Sequence, residues 1–208
     1  MVEQQVRPSD VLDPDVLKAM IEVDRAQFIC EEMQGLAYAD TNLPLGYGQQ
    51  MFSPVLDGRI LQALHITADE RVLEIGTGSG YLTALLAQLA EEVISVEFVP
   101  ELSEMAQQNL LKAGIKNVTL MVGDASQGWS LDTRVDVIVC TAAVLTVPED
   151  YLQILRVGGR MLAFVGEGNN MKAQLISRVT EMEWQTENVF ETAVKPMINA
   201  EPKPAFKF

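Results

Sequence analysis

The chain is predicted to adopt an α/β fold: an open, twisted, mostly parallel sheet that ends in an antiparallel hairpin and carries a helical cap at its start. Three observations predict it. From residue 71 onward short apolar runs alternate with helical segments, which is the pattern of βαβ units. The stretch Leu73-Glu74-Ile75-Gly76-Thr77-Gly78-Ser79-Gly80 passes from an apolar strand through alternate glycines into a helical run, as a ligand-binding βα turn does. Near the end, the β-rich stretches Lys172 to Thr180 and Trp184 to Val194 are separated only by Glu181 to Glu183, and so short a link requires antiparallel pairing.

The elements follow in chain order. Its 208 residues suit a single domain, and at 48% hydrophobic it has ample material for a core without disulfide staples. We divide it into a cap and loop region, residues 1–52, and an α/β core, residues 53–208. Asp10 to Asp24 is expected to be a short amphipathic helix, with Pro14 in its first turn and Val16, Leu17, Met20 and Ile21 on one side. A second helix is expected from Arg25. Pro44, Gly46 and Gly48 break regular structure between Gly35 and Met51, leaving a long ordered loop, and such loops in compact domains are usually functional. Ser53-Pro54 has the form of an N-cap and first-turn proline opening a helix through Leu64.

Within the core, strands are expected at Arg71–Ile75, Val93–Phe98, Val118–Val122, Val135–Cys140 and Arg160–Val165. Helices are expected at Tyr81–Ala90, at Pro100–Lys112 with Gly114 as its stop, and at Pro148–Leu155 closed by Gly158-Gly159.

Charge and cysteine usage narrow the function classes. Fifteen Lys and Arg against 29 Asp and Glu leave a net charge of −14, which repels nucleic acid and anionic membranes. Cys30 and Cys140 form no CxxC and no metal-ligand framework, so we expect no metal and a reduced, cytoplasmic protein. The start lacks the apolar segment of a signal peptide, and no apolar run approaches the roughly 18 residues of a spanning helix. The single histidine, His65, ends the helix before the first core strand and is read as structural.

In open α/β sheets ligands bind beyond the carboxyl ends of the strands. Four successive strand ends carry suitable residues. Gly76, Gly78 and Gly80 let backbone approach a nucleotide-type cofactor. Their spacing is GxGxG rather than the dinucleotide GxGxxG, and Glu74 would oppose a pyrophosphate but suits a cationic sulfonium donor. Glu97, 21 residues after Gly76, is placed to accept from ribose hydroxyls, and Asp124 from an adenine amino group unless it caps a turn. Thr141-Ala142-Ala143 leave space beside the fourth strand. These features favour S-adenosylmethionine over a hydride-carrying dinucleotide.

At these residues the chain resembles the protein-L-isoaspartate O-methyltransferases. The likeness includes Val23-Asp24-Arg25 with Phe28, Ala37-Tyr38-Ala39-Asp40, Leu43-Pro44-Leu45-Gly46-Tyr47-Gly48-Gln49, Leu73 to Tyr81, Ser95-Val96-Glu97, Gly123-Asp124 with Gly128-Trp129, Thr141-Ala142-Ala143 and Gly158-Gly159-Arg160. The resemblance implies a Rossmann-like seven-stranded methyltransferase sheet, S-adenosylmethionine as cofactor and isoaspartyl-containing polypeptides as substrate. It implies cofactor contacts at Met51, Phe52, Glu74, Gly76, Thr77, Gly78, Ser79, Tyr81, Glu97, Phe98, Asp124, Ala125 and Thr141, and substrate contacts at Gly48, Gln49 and Gln50.

One departure stands out. The family pattern after Gly-Gln is Thr-Ile-Ser-x-Pro, whereas this chain has Gln50-Met51-Phe52-Ser53-Pro54, so Phe52 occupies the place of the family serine. Ser53 becomes the candidate catalytic hydroxyl, with a helix N-cap as its other reading. Phe28-Ile29-Cys30 likewise replaces the family's Phe-Val-Pro. A carboxylate acceptor is already ionised at neutral pH, so the chemistry needs alignment and exclusion of water rather than a general base. Two alternatives stand beside isoaspartyl methylation: a related methyltransferase with another acceptor, suggested by Phe52, and a cofactor-binding scaffold without turnover.

Overall fold

The computed structural model describes residues 1–200. Its centre is a seven-stranded sheet built from β3 (Arg71–Ile75), β4 (Glu92–Glu97), β5 (Val118–Val122), β6 (Val135–Val144), β7 (Leu155–Val165), β8 (Lys172–Thr180) and β9 (Glu183–Glu191), in the order β5-β4-β3-β6-β7-β8-β9. The first five run parallel, and β8 and β9 are antiparallel to their neighbours. The chain winds outward from β3 through β4 to β5, then returns to place β6 on the other side of β3. This reversal opens a crevice between the ends of β3 and β6, the position at which open α/β sheets bind ligands.

Both faces of the central strands β3, β4 and β6 are covered, so these are largely apolar, whereas the edge strand β9 is polar and mostly exposed. Val72, Val137, Val139 and Leu162 face one core with α1 (Pro14–Glu22), α2 (Pro54–Leu64) and α3 (Tyr81–Leu89), through residues such as Met20, Leu61 and Leu85. Leu73, Ile138 and Met161 face the other, with Tyr151 of α5 (Glu149–Ile154). The helix α4 (Pro100–Lys112) packs beside β4 and β5. Asp13 caps α1, accepting from the Asp15 and Val16 amides at 2.9 and 3.2 Å. His65 ends α2 in the left-handed region, away from the crevice, with its ring on the surface 3.8 Å from Asp13.

Four expectations about local structure are corrected. No second α-helix follows Arg25; the chain instead makes two 3-10 stretches, Arg25–Phe28 and Glu31–Leu36, parted at Ile29-Cys30. The 35–51 loop contains a small hairpin, β1 (Leu43–Gly46) with β2 (Gln49–Met51), whose turn carries positive φ at Gly46, Tyr47 and Gly48. β7 begins at Leu155 rather than Arg160, because Val135 pairs with Leu155 and Val137 with Arg160 across a bulge that absorbs Gly158-Gly159. β6 continues to Val144, so Thr141-Ala142 lie within its second irregularity, opposite the β3 end. Bulges beside a site re-aim the strand, and this one turns Thr141 toward the glycine turn.

Candidate active site

The crevice beyond β3 and β6 is a cavity enclosing about 950 Å³, part of it open to solvent. Its floor is the turn from β3 into α3. Gly76 has φ +98°, and a Cβ built there would lie 2.1 Å from Thr141 Oγ1. Only glycine fits: the backbone conformation and the neighbour each exclude a side chain. The Thr141 hydroxyl holds this turn from the β6 side, 2.9 Å from the carbonyl oxygens of both Ile75 and Gly76.

Glu97 ends β4 and is buried at the cavity wall. One carboxylate oxygen accepts from the Gly78 amide at 2.9 Å and the other from the Val99 amide at 3.0 Å. These bonds fix its orientation and leave further lone pairs for hydroxyl donors, since a carboxylate has about four acceptor directions. Asp124 follows β5, caps the Ser126 amide at 2.9 Å as its turn-capping reading expects, and also borders the cavity. Asn199 donates to its other oxygen at 2.9 Å, and these bonds, the Ser126 amide foremost, hold the carboxyl below its usual range.

On the cap side, Met51 and Phe52 lead from the hairpin into α2 and form the opposite wall. Phe52 is buried, its ring edge-on to Phe164 at 5.9 Å. The fully buried Arg25 donates to the Phe52 carbonyl and pairs with Asp57 Oδ2 at 2.8 Å. Burial pushes the Asp57 carboxyl up to about 6 despite the opposing pull of Arg25. The Arg25 guanidinium also lies 4.7 Å from the centre of the Tyr81 ring, and the Tyr81 hydroxyl is buried with no hydrogen-bond partner among the described residues.

Most of the residues expected at the site therefore converge. Gln49, Gln50, Met51, Phe52, Gly76, Thr77, Gly78, Ser79, Tyr81, Glu97, Phe98, Asp124, Ala125 and Thr141 all line the cavity. Three do not. Glu74 points to the face of β3 covered by α3, fully buried, where it accepts from Thr83 at 2.5 Å and Ser95 at 2.6 Å. Ser53 lies outside the lining and its side chain makes no capping bond, because Asn42 Oδ1 accepts from its amide at 2.9 Å and Asp40 Oδ1 from that of Val55. The loop has taken over the role of N-cap. Gly48 sits at the rim, where its carbonyl accepts from Lys195.

Asp57 and the segment Lys195 to Ile198 line the cavity without having been foreseen. For Asp57 a signal existed: it stands in register with Ile60, Leu61 and Leu64 on the buried stripe of α2, where an acid is out of place. The segment after β9 carries no periodicity to read.

A sequence model described as protein-L-isoaspartate(D-aspartate) O-methyltransferase matches residues 1–201. The chain belongs to this family. A protein-L-isoaspartate O-methyltransferase from a Picosynechococcus species is 41% identical over 185 residues, covering 89% of this chain and 83% of the relative. One from Protochlamydia amoebophila is 37% identical over 204 residues, covering 97% of this chain and 96% of its own. Among solved structures, a Plasmodium falciparum beta-aspartate methyltransferase in complex with S-adenosyl-L-homocysteine superposes with a TM-score of 0.83 over 94% of this chain and 96% of its own. At 20% identity that likeness speaks for the fold alone.

Proposed function

We propose that the protein transfers a methyl group from S-adenosylmethionine to the carboxylate of isoaspartyl residues in polypeptides. The observation that carries this reading is the cavity at the β3/β6 reversal, where the glycine turn, Glu97 and Asp124 meet in a chain whose family match spans residues 1–201. Residues 1–52 act as cap and acceptor loop over a cofactor-binding core.

The residues present fit the cofactor. Gly76 forms a cradle that a Cβ would fill, and among the described residues no basic side chain lines the glycine turn, which suits a donor without phosphate. Glu97 would hold the ribose hydroxyls, Asp124 the adenine amino group, and the Gly76 to Ser79 backbone with Thr141 the methionyl end. When bound, S-adenosylmethionine supplies a methyl carbon activated by a positively charged sulfur. The chain's own contribution is positional. Leu45, Met51 and Phe52 wall the cavity with apolar surface that keeps water from the acceptor, and Gln49 and Gln50 offer amide donors to it. An ionised carboxylate needs no base, so nothing in this reading depends on His65.

The net charge of −14 disfavours a nucleic-acid partner, and the free thiols Cys30 and Cys140 fit a reducing cytoplasm. Among the described residues no helix is long and apolar enough to cross a membrane, and no cluster of metal-ligating side chains forms.

The test has two parts. Calorimetry is expected to detect S-adenosyl-L-homocysteine binding, weakened about tenfold or more by Glu97→Ala or Asp124→Ala, each removing charged hydrogen-bond acceptors. An isoaspartyl peptide is expected to acquire methyl esters that release methanol. Binding without esters would remove the acceptor assignment and favour another acceptor or a scaffold. Absence of binding would remove the whole reading.

A further inference from the structure

An anionic acceptor has to enter a cavity whose walls already hold Asp57, Glu97 and Asp124, in a chain of net charge −14. Phe52 offers it no hydroxyl. Among the described residues that line the cavity, only Lys195 carries a positive charge.

Lys195 lies on the segment that leaves β9 and crosses back over the strand ends. The Ala143 amide donates to the Lys195 carbonyl at 2.8 Å, and the Met197 amide donates to the Ala143 carbonyl at 2.8 Å. Pro196 thereby bridges to Ala143, and Asn199 is tied to Asp124. The backbone on both sides of Lys195 is thus pinned across the cavity beside Thr141 and Ala142. Its ammonium donates to the Gly48 carbonyl, in the turn that leads directly into Gln49 and Gln50. An ammonium has three donors, so this contact leaves two for a ligand. With backbone and tip both held, ordering the side chain on binding costs little further entropy.

We propose that Lys195 is an acceptor-binding, specificity-determining residue, whose ammonium pairs with the free α-carboxylate of an isoaspartyl residue while holding the Gly48 turn beside it. The inference rests on the isoaspartyl reading above. An isoaspartyl residue routes its main chain through the β-carboxyl, leaving the α-carboxylate one carbon closer to the backbone than an ordinary aspartyl carboxylate. A cation fixed to the turn can read that difference, whereas a freely swinging one could not.

The experiment compares wild type, Lys195→Gln and Lys195→Arg on an isoaspartyl peptide, with the isoasparaginyl peptide as a neutral competitor. Glutamine keeps a donor for Gly48 and loses the charge. Lys195→Gln is expected to raise KM for the isoaspartyl peptide about 10- to 100-fold, the worth of one charged hydrogen bond, with S-adenosyl-L-homocysteine affinity unchanged. Wild type is expected to bind the acid peptide more tightly than the amide by a similar ratio. That preference should collapse toward unity in Lys195→Gln and partly return in Lys195→Arg. An unchanged KM, or an acid-over-amide preference that survives the loss of charge, would overturn the role of Lys195. A wild-type enzyme that leaves the isoaspartyl peptide unmodified would instead overturn the acceptor reading on which it rests.

Discussion

Glu74 offers the sharpest test of the electrostatics beneath the glycine turn. Its carboxyl is fully buried; Oε2 accepts from Thr83 and Ser95, both neutral hydroxyls, while Oε1 has no partner among the described residues. Burial outweighs these bonds, and with smaller contributions from the negative charges of Glu97 and Asp57 it pushes the carboxyl from 4.5 up to about 8. The folded protein therefore holds a proton that the unfolded chain releases, and stability falls as pH rises through that interval. The penalty is absent below the unfolded value, grows between about 4.5 and about 8, and is constant above. Each pH unit inside the window is worth about 1.4 kcal/mol, so moving from pH 5.5 to 7.5 costs the wild type about 3 kcal/mol from this group alone. Glu74→Gln keeps the shape and removes the titration. Its unpaired amide hydrogens cost a constant amount at every pH, which cancels in the slope. Urea unfolding of both proteins at pH 5.5, 6.5 and 7.5 gives the comparison, and the variant should gain on the wild type by about 1.4 kcal/mol per unit. Parallel stability curves would mean that Glu74 is ionised in the fold and that the reasoning from burial is wrong.

Two further perturbations probe the walls of the cavity. Arg25→Met strands Asp57 as an unpaired buried acid and leaves the Phe52 carbonyl without its donor, so unfolding free energy should drop by about 3–5 kcal/mol; a loss below 1 kcal/mol in urea melts would show the ion pair to be dispensable. Gly76→Ala forces a side chain into φ +98° and onto Thr141 Oγ1, and should weaken S-adenosyl-L-homocysteine binding more than 100-fold by calorimetry. Measured against Thr141→Ala alone, which lacks the clashing hydroxyl, the same glycine substitution should cost less, and an equal cost in both backgrounds would place the whole effect in the backbone.

How much of this was legible in the sequence depended on whether the deciding interaction was local. Pro100–Lys112, Val118–Val122 and Lys172–Thr180 are found with the bounds their own residues signalled, because a first-turn proline, a stopping glycine and a β-rich run act within a few positions. The start of β7 was hidden because Gly158-Gly159 resembles a helix stop; what makes it strand is pairing with Val135, twenty residues earlier in the chain. At the site, the glycine turn, Glu97 and Asp124 were visible because strand ends are punctuated by residues that break the apolar pattern. Glu74 broke the same pattern and went elsewhere. Strand parity decides it: Glu74 shares the face of Val72, which lies under α3, whereas Ile75 faces the other way and borders the cavity. An acid one residue from the strand end is thus aimed into the helix layer, and meets hydroxyls of Thr83 and Ser95 rather than a ligand. The contact between Lys195 and Gly48 spans 147 residues and leaves no local mark on either segment. It follows that residues displayed on strand ends, where they line the cavity, can be read from spacing. The β1–β2 hairpin and the strand-crossing tail, proposed above to receive the acceptor, become neighbours only when the sheet has brought them together.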